Sequence, residues 1–141
     1  MQAVTDAVGY VSKSPERFFR LGAPAPIELV THIVSEIFVL GGGETCAVRR
    51  GDWWIIRSDV DWLETHQDYA PEALFFHLVA LPEAGPNSMR AEILLTAFAQ
   101  KVVTVGASGR LIIKGEVAPT EEIWRLIESY SGWKRAVAFC W

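Results

Sequence analysis

The stretch Asp59-Val60-Asp61-Trp62-Leu63-Glu64-Thr65-His66-Gln67-Asp68 gathers residue types that readily do chemistry. As a helix it sets Asp61, Glu64 and Asp68 at i, i+3 and i+7, three carboxylates on one face with His66 nearby. Carboxylate oxygens and an imidazole can hold a divalent cation. A metal site, however, wants ligands converging from several elements, and a stripe along one helix diverges. The same spacing is the ordinary pattern of a solvated helix face. The sequence assigns no metal ligand, no cofactor-binding residue and no catalytic residue.

An acidic binding surface is the third use this segment could have. Asp59, Asp61, Glu64, Asp68 and Glu72 fall within fourteen residues that hold no Lys or Arg. Trp62 and Tyr69 are interleaved with them, and Trp53 and Trp54 lie just upstream. Tyr and Trp are enriched at interface hot spots, and acidic charge steers a basic partner. The candidate partner-binding set is therefore Trp53, Trp54, Asp59, Asp61, Trp62, Glu64, Asp68 and Tyr69.

Other constellations are thinner. His32 and His77 stand inside apolar runs, where a hydrogen-bonded core histidine is the common explanation, and no HxH, HxxxH or HExxH pair exists. Cys46 follows Gly41-Gly42-Gly43, so a thiol nucleophile beside a turn can be drawn. A cysteine on a strand is more often a small core residue. The glycine run lacks the Gly-Lys-Ser/Thr of a phosphate loop, GxSxG is absent, and Arg50-Gly51-Asp52 reads as a turn.

Composition bounds the class. The chain has 141 residues, half of them hydrophobic, with six Trp and a net charge of −4, which suits one domain with a sizeable core. Residues 1–70 hold ten acids against six bases, and residues 71–141 hold seven of each, so the net charge lies in the first half. That balance argues against nucleic acid, which attracts clustered Lys and Arg. Ile27 to Leu40 is too short to span a bilayer, no secretory signal is visible, and Cys46 and Cys140 are too few for a disulfide framework. A soluble, cytoplasmic protein with no membrane partner is expected.

The elements that must position these residues follow from periodicity and punctuation. Ser14 to Arg20 predicts a short helix, and apolar spacing from Ile27 predicts another, with a strand open as an alternative for its second half. Thr45–Arg49 and Asp52–Arg57 predict a hairpin around Arg50-Gly51. Ser58 is expected to cap a helix running to about Gln67, Leu74–Leu81 to form a buried strand, and Ser88 to cap a helix through about Phe98. Val102–Val105 and Leu111–Ile113 predict a second hairpin. Thr120 is expected to cap a helix marked by Ile123, Leu126, Ile127 and Tyr130, before a final strand Ala136–Trp141.

The sum is a single α+β domain over residues 1–141, without linker or tail. Its expected core is a mixed, mostly antiparallel sheet of about six strands, with helices packed mainly on one face. Small, acidic, aromatic-rich and without a catalytic motif, the chain resembles in general character the immunity proteins that neutralise bacterial toxins. The likeness involves no specific motif and transfers no residues. A protein-binding module facing a basic protein is the leading expectation. The alternative is a small-molecule pocket between sheet and helices, with Trp53 or Trp54, Arg57 and His77 as lining residues. A metal-dependent or Cys46-dependent enzyme ranks third.

Overall fold

Two tight turns organise the sheet. Arg50 pairs with Trp53 across Gly51 and Asp52, and Gly51 takes φ +62°. A positive φ at the first of two loop positions is what a type II′ hairpin turn requires. β1 (Thr45–Arg50) and β2 (Trp53–Ser58) form this hairpin. β3 (Lys101–Gly106) and β4 (Gly109–Lys114) form the second, around Ala107-Ser108. β5 (Arg135–Cys140) inserts between the hairpins, giving the order β1-β2-β5-β3-β4 with every neighbouring pair antiparallel. The computed structural model describes residues 6–65, 68–128 and 132–141. Expectations resting on His66, Gln67 and Tyr130 lie outside them.

The side chains of β5 alternate with the period of a strand. Val137 and Phe139 join the larger core, whereas Ala136 and Ala138 join the smaller one on the opposite face. The larger core lies under α1 (Ala7–Ser12), α2 (Pro26–Val39) and α3 (Glu92–Phe98), which supply Val11, Leu29, Ile33, Ile37, Ile93 and Leu95. Each fully buried aliphatic of this kind stabilises by about 1.5–3 kcal/mol. Across the sheet, the two alanines leave room for α4 (Glu122–Glu128), which packs Ile123, Trp124 and Ile127 against them. α+β architecture with helices mainly on one face is thus the observed class, and residues 26–39 are helical throughout.

Several local expectations are corrected. The sheet has five strands, because Leu74–Leu81 forms none. Pro71 opens a 3₁₀ helix, Pro71–Phe75, and only Ala80 makes a bridge, to Met89. Leu74, Phe75, Val79 and Leu81 are buried while Phe76 and Leu78 are exposed, so the run is tacked to the core at points rather than laid flat in a sheet. No parallel pair forms among the described strands. Ser58 ends β2 instead of capping a helix, and its Oγ accepts from Val60 N at 3.1 Å. The chain then enters a 3₁₀ turn, Trp62–Glu64, capped by Asp61, whose Oδ1 accepts from Leu63 N at 3.2 Å. Ser14 and Pro15 do start a turn, again 3₁₀ (Pro15–Arg17). α3 begins at Glu92, four residues after Ser88. No described helix is long and apolar enough to cross a membrane.

Candidate functional site

The carboxylates of the acidic segment separate once folded. Asp61 pairs bidentately with Arg135, at 2.9 Å to Nε and 3.0 Å to Nη2. This pair ties the Trp62–Glu64 turn to β5. Arg135 reaches Asp61 by lying across Gly106, where a Cβ would displace its guanidinium from this path. Glu64 is 57% exposed and stands 4.0 Å from Arg135. Asp68 is exposed, Asp59 and Tyr69 are half-buried, and one oxygen of Asp59, Oδ1, is buried with no hydrogen-bond partner among the described residues. Asp61, Glu64 and Asp68 therefore do not form one helical stripe.

The tryptophans disperse as well. Trp62 is fully buried. Trp54 stacks on Phe139, with centroids 6.4 Å apart, and Arg49 covers its ring at 5.1 Å. Trp53 projects to the opposite face, toward the α4 core. Both begin β2, about 13–17 Å along the strand from Ser58, next to the acidic segment. The residues of the pocket expectation also fail to meet. Arg57 Nη2 donates to the Leu126 carbonyl at 2.7 Å, whereas His77 is exposed on the irregular segment beside Tyr69.

In place of these, the fold assembles a buried ionic group from Glu36, Arg90 and Glu92. Their exposures are 2%, 1% and 0%. Glu36, on the core face of α2, accepts from Ala91 N at 2.7 Å through Oε1 and from Arg90 Nε at 2.8 Å through Oε2. Arg90 also lies 3.3 Å from Glu92 Oε1 and donates Nη2 to the Trp62 carbonyl at 3.0 Å. The Trp62 indole donates to Glu92 Oε2 at 3.0 Å. The cluster joins α2, the start of α3 and the Trp62 turn. No sequence motif marks it. Its one local signal is Glu36 falling between Ile33 and Ile37 on an otherwise apolar face.

Two carboxylates facing one guanidinium in a dry core cannot both ionise cheaply. Burial raises the Glu36 carboxyl well above the ordinary carboxylate range, and the charge and hydrogen bonding of Glu92 push it the same way, against the pull of Arg90. Burial also works against charge on Arg90, but Glu92 and Glu36 outweigh it and its pKa ends raised. A group whose folded pKa exceeds its unfolded value contributes stability that is full below the unfolded pKa and is lost as pH rises through the folded one. Glu36 should therefore stabilise the fold most in mild acid and progressively less toward alkaline pH. Urea midpoints for wild type and Glu36→Gln should diverge in favour of the variant as pH rises from 5 to 8. Parallel pH profiles would show that Glu36 titrates normally.

The other candidates are placed without a shared site. His32 and His77 are exposed, contrary to the core expectation, and His32 Nε2 donates to the Phe18 carbonyl at 3.2 Å. Cys46 and Cys140 are free thiols. They stand on β1 and β5, two strand spacings apart and four residues out of register, about 16 Å in all, beyond disulfide reach. Burial, then the charge of Asp52, pushes the Cys140 thiol up, which disfavours the reactive thiolate. Among the described residues, no group of three His, Cys, Asp or Glu side chains is placed to hold a metal ion. No protein-family pattern matches the chain, and no curated protein or solved structure matches it either.

Proposed function

We propose that the chain is a protein-binding module of the toxin-neutralising kind, presenting an acidic surface with apolar anchors to a basic partner. The observation that carries this is Phe76 and Leu78, 40% and 48% exposed, on a stretch without a single cation. From Ser58 to Met89 there is no Lys or Arg, while Glu64, Asp68 and Glu72 all reach solvent. The Trp62–Glu64 and Pro71–Phe75 turns pack on one another, so the exposed Glu64 and Glu72 lie on contacting turns. Exposed aromatic and aliphatic groups rimmed by charge are the composition of an interface core and its rim. Relative to the sequence expectation, the anchor role passes from the buried Trp62 to Phe76 and Leu78, and the steering role from Asp61, which holds Arg135, to Glu64 and Glu72.

The test starts with capture of a partner from the source lysate and reconstitution of the complex from purified components. Glu64→Lys with Glu72→Lys should weaken binding about tenfold or more and reduce its salt dependence, with unchanged Tm, because rim charges act through long-range steering. Phe76→Ala should raise the dissociation rate at comparable stability. Wild-type affinity in both variants would place the interface elsewhere.

A further inference from the structure

Residues 79–90 fold back on themselves. Arg90 N donates to the Val79 carbonyl at 2.7 Å and Leu81 N to the Ser88 carbonyl at 2.9 Å, around the Ala80–Met89 bridge. Glu36 pins the base of this small hairpin to α2 through Arg90 and Ala91 N. Beyond the pin, a cavity of about 390 Å³ opens between the hairpin, α2 and the Pro15–Arg17 turn. That volume lies in the range of small-molecule sites. Its apolar walls include Phe18, Leu81, Met89 and Leu94.

Basic groups outnumber acids around this cavity. Arg17, His32 and Arg90 line it, and Glu36 is its only acid. Glu36 and Arg90 are committed to one another at the buried base of the cavity, Glu36 Oε2 accepting from Arg90 Nε at 2.8 Å. The positive charge at the mouth therefore rests on Arg17 at the exposed rim. Arg17 spends one donor on the Tyr10 hydroxyl, Nη1 to oxygen 2.7 Å, which orients the guanidinium. Ser35, exposed on α2, adds a hydroxyl to the lining. A cationic mouth over apolar walls, in a chain of net charge −4, selects for a ligand carrying its own negative charge.

We propose that this cavity binds a small monocarboxylate with an apolar body, the carboxylate at Arg17 and the body against Phe18, Leu81 and Met89. Arginine recognises carboxylates through paired N–H donors. The site uses none of the residues assigned to the acidic surface, so its failure leaves the proposed protein binding standing, and the reverse.

Three probes of one shape test it: phenylacetate, phenylacetamide and phenethylamine, each titrated by calorimetry and thermal unfolding at low salt. Phenylacetate should bind and, near saturation, raise Tm by about 3 °C or more, with the neutral amide at least tenfold weaker and the amine without effect. Arg17→Ala should weaken phenylacetate about tenfold. Ser35→Trp, which enters the cavity from an exposed helix position, should abolish binding while wild-type Tm shows the fold intact. Absence of phenylacetate binding at millimolar concentration overturns the proposal, as does equal affinity for all three probes or wild-type affinity in both variants.

Discussion

Arg90→Met should be the most damaging single substitution in this chain, lowering stability by about 3–5 kcal/mol, the range for breaking a buried ion pair from one side. For a domain of this size that corresponds to a fall of about 10–20 °C in Tm. Arg90 is 1% exposed and stands between two carboxylates that are themselves buried. Methionine fills much of the volume, so packing accounts for little of the loss. The damage comes from leaving Glu36 and Glu92 together without a cation, and from removing one of the two donors to the Trp62 carbonyl, Thr65 Oγ1 being the other. The same logic predicts rescue. Glu36→Gln and Glu92→Gln can still accept from Ala91 N and the Trp62 indole, so adding both to Arg90→Met should recover more than half of the loss. Thermal melts of the single and triple variants decide it: a Tm for Arg90→Met within about 3 °C of wild type would show that the cluster does not bear on stability.

Why that cluster is not legible in the sequence is a matter of separation. Glu36 and Arg90 are 54 residues apart, and Asp61 and Arg135 are 74 apart. No local pattern announces such pairs. The α2 helix shows the consequence. Its apolar spacing suggests a face through Ile27 and Phe38, yet these are 57% and 61% exposed, and the buried face runs through Leu29, Ile33, Glu36 and Ile37. A glutamate counts against burial until its partner is known, so the apolar spacing points about a quarter-turn away from the true face. Elements whose signal is local are legible. Gly51 between two apolar runs marks the first hairpin, and Ile123 and Ile127 mark α4, because turn chemistry and helical period need no distant contact. The acidic segment misleads in the opposite way. Ser58-Asp59-Val60-Asp61 has the composition of a helix start, but adjacent Trp62 and Leu63 are both buried. A short 3₁₀ turn, locked by Asp61 to Arg135, satisfies them where a longer helix is expected. Leu74–Leu81 carries the hydrophobicity of a strand, but its backbone finds no neighbouring strand beyond the single bridge at Ala80.

Trp62→Ala should rank next, and it separates the binding surface from the scaffold beneath it. The indole is fully buried, and truncating a buried Trp costs about 3–5 kcal/mol in lost transfer energy and cavity formation. Removing its N–H also takes from Glu92 Oε2 its donor at 3.0 Å, in a site where Glu92 Oε1 already lacks a well-aligned hydrogen bond. Trp62→Phe keeps most of the volume and should lose about 1–3 kcal/mol, chiefly through that missing donor. Urea unfolding followed by circular dichroism measures both, as a lower midpoint at unchanged slope. Arg90 and Trp62 both act on Glu92, so their costs should not add: Arg90→Met with Trp62→Ala should fall short of the sum by more than about 0.5 kcal/mol. If Trp62 were instead an exposed anchor for a partner, Trp62→Ala would leave the urea midpoint in place and remove binding. The buried indole requires the reverse, with partner affinity per folded molecule retained in Trp62→Ala and lost in the folded Glu64→Lys, Glu72→Lys variant.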